Sequence, residues 1–157
     1  MGRTRWLSAE EKHAWTALRT TYALLHHRMD QQLKRDAGLS HLQYEILSRL
    51  AAAPERELRM AELACAVANS KSGLTYQIGQ LEQAGLVSRR TCESDVRAVY
   101  AVLTEAGAAR LSRAAPGHVA LVRELLVDVL TPEQLRALAD GLGEANRRMQ
   151  ASEDCGG

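Results

Sequence analysis

The 157-residue chain carries 20 Lys and Arg against 19 Asp and Glu, with 46% hydrophobic and 25% charged residues, a composition that excludes a disordered chain. No apolar run approaches the ~18 residues of a membrane span, and the N-terminal MGRTRWLSAEEK has no apolar stretch behind its basic residues, so neither a membrane partner nor a signal peptide is expected. A net charge of +1 gives no general attraction for nucleic acid, so any such role must rest on where the charges sit.

Phe is absent, and the aromatic residues are two Trp and four Tyr; the core must be aliphatic, which favours helices. The first helix opens with Ser8-Ala-Glu-Glu11, a capping box in which the serine oxygen takes an orphan amide and Glu11 reaches back. Trp15, Leu18, Tyr22, Leu25, Met29 and Leu33 then recur at steps of three and four along one face, and Gly38 ends the helix. Ser40-His-Leu-Gln43 is a second capping box, opening a helix through Leu42, Ile46, Leu47 and Leu50 that stops before Pro54. Glu57-Leu-Arg59 is too short for a helix and is expected to form a brief strand. Met60, Leu63, Ala64 and Val67 share one face of a short helix, Ala68-Asn69-Ser70 supplies a turn and an N-cap, and a further helix follows. Short helix, tight turn, second helix is a helix-turn-helix pattern.

From Leu86 the period changes to two. Residues 86–92 and 97–103 read as strands joined by the polar Glu93-Ser-Asp-Val96, a hairpin placed as a wing. Thr104 caps a helix that Pro116-Gly117 is expected to kink or divide, because proline removes an amide and clashes with the preceding turn. Thr131-Pro-Glu-Gln134 starts the last helix, with its stripe at Leu135, Leu138, Leu142, Ala145 and Met149. The terminal helices carry more apolar face than a small middle domain can cover, which predicts a symmetric dimer.

The second helix of the helix-turn-helix is unusual. Gly73 and Gly79 lie inside it, each costing roughly 1 kcal/mol against alanine. At 100° per residue, Leu74, Ile78 and Leu81 fall on one side; Ser72, Thr75, Tyr76, Gly79 and Gln83 fall opposite, with Gln80 beside them. Hydroxyls and amides suit base edges, while Lys71 and the helix N-terminus suit phosphates. Gly79 would let the backbone approach DNA closely. Arg89, Arg90 and Arg97 on the wing add positive charge behind this face.

Leu63-Ala64, Ser70-Lys-Ser-Gly-Leu-Thr75, Leu81-Glu-Gln-Ala-Gly-Leu-Val87, and Asp95-Val-Arg97 running into Leu103-Thr-Glu-Ala-Gly107 occur in an order and spacing that resembles the bacterial MarR family of winged helix-turn-helix regulators. The resemblance covers nearly the whole chain. It implies a dimer built from the first and last helices, a recognition helix in the major groove and a wing arginine in the minor groove. It also implies release of DNA when a small phenolic or anionic ligand enters a cleft between the dimer helices and the winged helix. Asp95 and Arg97 match the family's wing-tip aspartate and arginine, and an A·T-rich minor groove attracts arginine. Ser70, Ser72, Thr75 and Tyr76 fall at recognition-helix positions. Tyr76 and Gln80 stand where many relatives have arginines, and Val96 where a second wing arginine is common; fewer phosphate contacts mean a shallower salt dependence.

Three other groups of residues bear on sensing and ligand binding. His26 and His27 point about 100° apart on a helix and do not form the i, i+4 pair that holds zinc well; a zinc-responsive regulator would need His118 or an acid to join them. Cys65, Cys92 and Cys155 are widely spaced and odd in number, which points to a reducing, cytoplasmic setting without a disulfide framework, Cys65 as a small buried hydrophobe and Cys92 exposed near the wing tip. A redox-responsive regulator would need a depressed pKa or a resolving partner that the sequence does not display. Trp15, Tyr22 and Tyr44 are the candidate lining of the effector cleft. No nucleophile elbow, phosphate-binding glycine loop or metal-protease motif is present, so catalysis is not expected, and no cofactor or metal is assigned.

The expected protein is mostly α, an α+β winged helix with long terminal dimerisation helices. Residues 8–36 and 104–150 form the helical dimerisation region, 37–103 the DNA-binding domain, and 1–7 and 151–157 the tails. Its expected partners are a palindromic operator in double-stranded DNA, a second copy of itself, and a small phenolic or anionic effector, and its expected action is repression. The alternatives are a redox- or zinc-responsive regulator of the same fold, or a dimeric helical interaction module without specific DNA binding.

Overall fold

The computed structural model describes residues 4–92 and 95–152. Glu93, Ser94 and Cys155 lie outside the described residues, as do the side chains of Asp95 and Val96. Local capping sets the helix boundaries. Helix α1 (Ala9–Ala37) begins with the complete Ser8–Glu11 capping box and ends at Gly38, whose φ of 67° needs the left-handed region that glycine enters without strain. Helix α2 (His41–Ala52) opens with the Ser40–Gln43 box, and a short 3₁₀ turn, Pro54–Arg56, leads into strand β1 (Glu57–Arg59). Helix α3 (Met60–Ala66) and helix α4 (Lys71–Gln83) form the helix-turn-helix.

Strands β2 (Val87–Cys92) and β3 (Asp95–Leu103) pair antiparallel, and β1 adds to the far side of β3, giving the sheet order β1-β3-β2. Strand β3 starts earlier than its period-two pattern suggests, because Cys92 pairs with Asp95 across an irregularity after Thr91. Thr104 then ties the wing to helix α5 (Glu105–Val122): its hydroxyl donates to the Gly85 carbonyl at 2.7 Å and accepts from the Gly107 amide at 3.0 Å.

Two expectations are corrected here. Helix α5 is not divided at Pro116 but runs through it. A Cβ on Gly117 would lie 2.8 Å from both Asp36 Oδ2 and Gln32 Nε2, so glycine lets α5 lie tightly on α1, and that packing outweighs a proline penalty of ~3 kcal/mol. The irregularity comes later, as a π-helical turn at Arg123–Val127 before helix α6 (Pro132–Ser152), which the Thr131–Gln134 capping box opens. Cys65 is half-buried and disulfide-bonded rather than free and buried; it sits beside Leu63 and Ala64, the residues of α3 that face the core.

The core is aliphatic, as the absence of Phe requires. Leu33, Ile46, Leu47, Leu50, Leu63, Leu74 and Ile78 are wholly enclosed, joined by Leu81, Ala101 and Ala114, each large side chain contributing roughly 1.5–3 kcal/mol by burial. This core binds α2, α3, α4 and the sheet to the C-terminal end of α1 and to α5. The rest of the long helices lies outside it: α1 is buried only at Gln32, Leu33 and Ala37, and no described residue of α6 is buried. No described helix is long and apolar enough to cross a membrane.

Candidate nucleic-acid interface

Helix α4 is anchored from below and capped at its start. Leu74, Ile78 and Leu81 are buried, which turns Ser72, Thr75, Tyr76, Gln80 and Gln83 outward, all exposed. Ser70 Oγ accepts from the Gly73 amide at 3.1 Å, and the Ser70 amide donates to Asn69 Oδ1 at 2.8 Å. Thr75 donates its hydroxyl proton to the Lys71 carbonyl at 2.8 Å, so what it offers outward is acceptor lone pairs. Tyr76 is 64% exposed and stands clear of the core.

The two glycines have different causes. A Cβ on Gly73 would meet Asn69 Oδ1 at 2.6 Å and Ser70 Oγ at 2.9 Å, whereas one on Gly79 would meet only Arg89 Nη2 at 3.7 Å. Gly73 therefore belongs to the capping turn. Nothing inside the fold demands glycine at 79.

The register of the wing separates its arginines. Arg89 pairs with Ala101, a core residue, and Arg90 with Tyr100; successive strand residues point to opposite faces. Arg89 thus lies on the α4 side, where its Nε donates to Glu82 Oε2 at 2.9 Å. Arg90 lies on the other side, held by both oxygens of Glu57 and stacked 4.7 Å from the centre of the Tyr100 ring. The Glu57 hydrogen bond holds the Arg90 pKa above its ordinary value. From the far side, Arg59 Nε donates to the Tyr100 hydroxyl at 2.9 Å.

Lys71, Thr75, Arg89 and Arg97 line one cleft of ≈ 400 Å³ between α4 and the hairpin, with Arg59 and Met60 on its rim. The structure therefore gathers four of the expected DNA-contacting residues. Ser70, Ser72, Tyr76 and Gln80 continue the same exposed surface along α4, Arg90 is directed away from it, and the side chain of Asp95 is outside the described residues. Sequence reasoning missed Arg59 and Glu82. That Arg89 and Arg90 face opposite ways was available in the strand's alternation, but not which of them faces α4, since Leu86, as buried as Val87, shares the parity of Arg90; the Glu82–Arg89 pair had no local signal.

A second cavity, ≈ 780 Å³, opens between α1, α2, α5 and the α3–α4 turn, lined in part by Tyr22, His26, His41, Tyr44, Asn69 and His118. The ring centres of His26 and His41 are 5.1 Å apart, those of His41 and His118 6.1 Å, and those of Tyr44 and His118 4.5 Å. Burial lowers the pKa of both His41 and His118, with further lowering of His41 by His26 and of His118 by His41. His118 Nδ1 is buried without a hydrogen-bond partner. Among the described residues no group of three His, Cys, Asp or Glu side chains has a metal-binding arrangement. Of the expected cleft aromatics, Tyr22 and Tyr44 line this cavity; Trp15 does not. It lies in an apolar groove of ≈ 720 Å³ with Leu18 and Leu25 of α1 and Leu138 and Leu142 of α6, a groove that Tyr22 lines as well.

Residues 39–99, which hold the helix-turn-helix and most of the wing, match the profile of the MarR family. The HTH-type transcriptional repressor YetL of Bacillus subtilis is 30% identical over 117 residues, 74% of this chain and 70% of YetL. The chain belongs to the MarR family. Solved MarR regulators agree with this over the whole fold. Sco3205 of Streptomyces coelicolor, solved in complex with DNA, superposes with a TM-score of 0.91 at 41% identity, covering 97% of this chain and 95% of its own. AbsC, a MarR regulator from the same organism, superposes at 0.88 with 40% identity, covering 95% of this chain and all of its own. This MarR protein is therefore a DNA-binding transcriptional regulator and not an enzyme.

Proposed function

We propose that this regulator is a cytoplasmic homodimeric repressor that reads a roughly palindromic operator with α4 and the wing and is released by a small phenolic or anionic effector. The observation that carries the reading is the convergence of Lys71, Thr75, Arg89 and Arg97 on one cleft beside an exposed surface of hydroxyls and amides. In this reading Ser72, Thr75, Tyr76 and Gln80 meet base edges, Lys71 and the capped start of α4 at Ser70 meet phosphates, and Arg97, with Asp95 beside it in sequence, enters the minor groove. Repression is the action of the relative YetL.

The uncovered helices support the dimer. Trp15 is 52%, Tyr22 64% and Met149 60% exposed, and a 21-residue helix with no buried described residue needs another apolar surface to hold it. Residues 8–36 and 104–150 would pair between copies while residues 37–103 form two reading heads, their α4 helices about 34 Å apart. The effector fits the cavity of Tyr22, Tyr44 and His118, with Trp15 assigned to the dimer groove instead. That cavity reaches Asn69, which holds the first amide of the α4 cap. A ligand there releases DNA only by binding more tightly to a form whose heads are misplaced.

Light scattering and duplex binding of wild type and Arg97→Ala test the reading together. A dimer in both, with operator affinity lost in the variant, supports it. A dimer that binds no operator in either form makes the protein a helical interaction module instead.

A further inference from the structure

Glu82 presents a contradiction within the proposed interface. It is a carboxylate on the C-terminal half of the reading helix, and a negative charge there repels phosphates. Its side chain is 36% exposed and that of its partner Arg89 37%, so the pair is open to water, where screening makes ion pairs weak contributors to folding. Stability alone gives little reason for an acid at this position.

The geometry supplies another reason. Arg89 stands on β2 and Glu82 on α4, so their contact joins the wing to the reading helix. Arg89 Nε donates to Glu82 Oε2 at 2.9 Å and Nη2 lies 2.9 Å from the same oxygen. The same Nη2 lies 3.7 Å from the point a Gly79 Cβ would occupy. Arg89 is therefore drawn along α4, one turn back from Glu82, past a position with no side chain, while still lining the cleft shared with Lys71, Thr75 and Arg97. A guanidinium has five N–H donors in a rigid fork. Glu82 takes those on one edge, which leaves the Nη1 edge for an anion.

We propose that Glu82 is a positioning residue for DNA binding: it holds Arg89 along α4 so that the guanidinium meets a backbone phosphate where wing and reading helix come together. The proposal rests on the reading of α4 and the wing as the DNA interface. Two opposing effects make it sharp. Charge alone says that removing Glu82 tightens DNA binding. Positioning says that removing it weakens binding, because Arg89 is then free to leave the orientation in which it meets the phosphate.

The test measures affinity for an operator duplex, across salt concentrations, for wild type, Arg97→Ala, Arg89→Ala, Glu82→Ala, Glu82→Gln and the Glu82→Ala/Arg89→Ala double variant, with thermal melting of each. Arg89→Ala is expected to weaken binding about tenfold and to reduce the log–log salt slope by roughly 0.9, the value for one phosphate. Glu82→Ala is expected to weaken it roughly threefold to tenfold despite removing a negative charge, whereas in the Arg89→Ala background the same change causes no further loss. Glu82→Gln keeps the side-chain shape and an oxygen acceptor for Arg89 Nε, and is expected to retain most of the affinity. It also guards against a folding defect in the alanine variant, since an isosteric change leaves the helix surface intact.

Tighter or unchanged binding by Glu82→Ala overturns the proposal, as does an equal loss with and without Arg89. If Arg97→Ala also binds like wild type, the interface itself has been misread. A loss at Arg97 without one at Glu82 leaves the interface standing and removes only the positioning role.

Discussion

A Cβ on Gly73 would lie 2.6 Å from Asn69 Oδ1, the oxygen that accepts the Ser70 amide at the start of α4. Gly73→Ala must displace both that oxygen and the Ser70 hydroxyl, which would lie 2.9 Å from the new Cβ, costing a hydrogen bond of about 1 kcal/mol and a cap of similar size against a propensity gain of about 1. A net loss of about 1 kcal/mol is expected in urea melts. Gly79→Ala meets only ordinary contact with Arg89 and is expected to stabilise the fold by ~0.5–1 kcal/mol. If the DNA backbone approaches there, the more stable variant binds operator more weakly; equal affinity would remove close approach as the reason for this glycine.

Ala68 turns the helix-turn-helix with φ of 48°, a left-handed conformation that costs an L-residue roughly 1–2 kcal/mol. Glycine adopts it freely but loses ~0.4–1 kcal/mol through the unfolded chain. The first effect is larger, so Ala68→Gly should raise stability by roughly 0.5–1 kcal/mol, readable as a higher urea midpoint with an unchanged slope.

Arg90 and Arg97 should part company in a binding assay. Arg90 is committed to Glu57 and Tyr100 on the far face of the hairpin, so Arg90→Ala is expected to lower the melting temperature and leave operator affinity within about twofold of wild type. Arg97→Ala should do the reverse, with a loss of about tenfold or more. A large loss from Arg90→Ala would place the far face of the wing on DNA.

The histidine cluster predicts a pH response in stability. His41 and His118 are held below the ordinary histidine pKa by burial and by their histidine neighbours, against weaker opposing effects of Glu45 and Asp30 on His41. The folded state therefore favours the neutral rings. Stability is full above about pH 6.5, the unfolded value, and is lost as pH falls through the lower folded values. Asp30 and Asp36, whose pKa values are depressed by hydrogen bonds from Lys34 and Gln32, contribute their own loss only in more acidic solution, as pH falls below the ordinary aspartate value and through the lower folded ones. Urea midpoints between pH 7.5 and 5 should decline for wild type and decline less for His118→Gln; parallel curves would mean that His118 does not carry the response.

How much of this could be read from the chain depended on the range of the interactions. The Ser8–Glu11, Ser40–Gln43 and Thr131–Gln134 boxes span three residues each, and all three form as read. The apolar stripe of α4 named Leu74, Ile78 and Leu81 as its buried side, which in turn fixed the exposed residues of the candidate interface. The division expected at Pro116 does not occur, and the reason α5 continues through it, Gly117 lying against Gln32 and Asp36, comes from another helix. The gathering of His26, His41 and His118 in one cavity is likewise a long-range fact without a local pattern. Trp15 was grouped with Tyr22 because both lie on the same stripe of α1; both line the groove against α6, but only Tyr22 also reaches the cavity beside α2.

The most direct test of the central claim, that α4 and the wing read a specific operator from a dimer, is selection of binders from random duplex DNA by the purified protein at moderate salt. The account predicts enrichment of an inverted repeat whose half-sites lie about one helical turn, ~34 Å, apart. Salt-sensitive binding without a motif, or no binding, would contradict it.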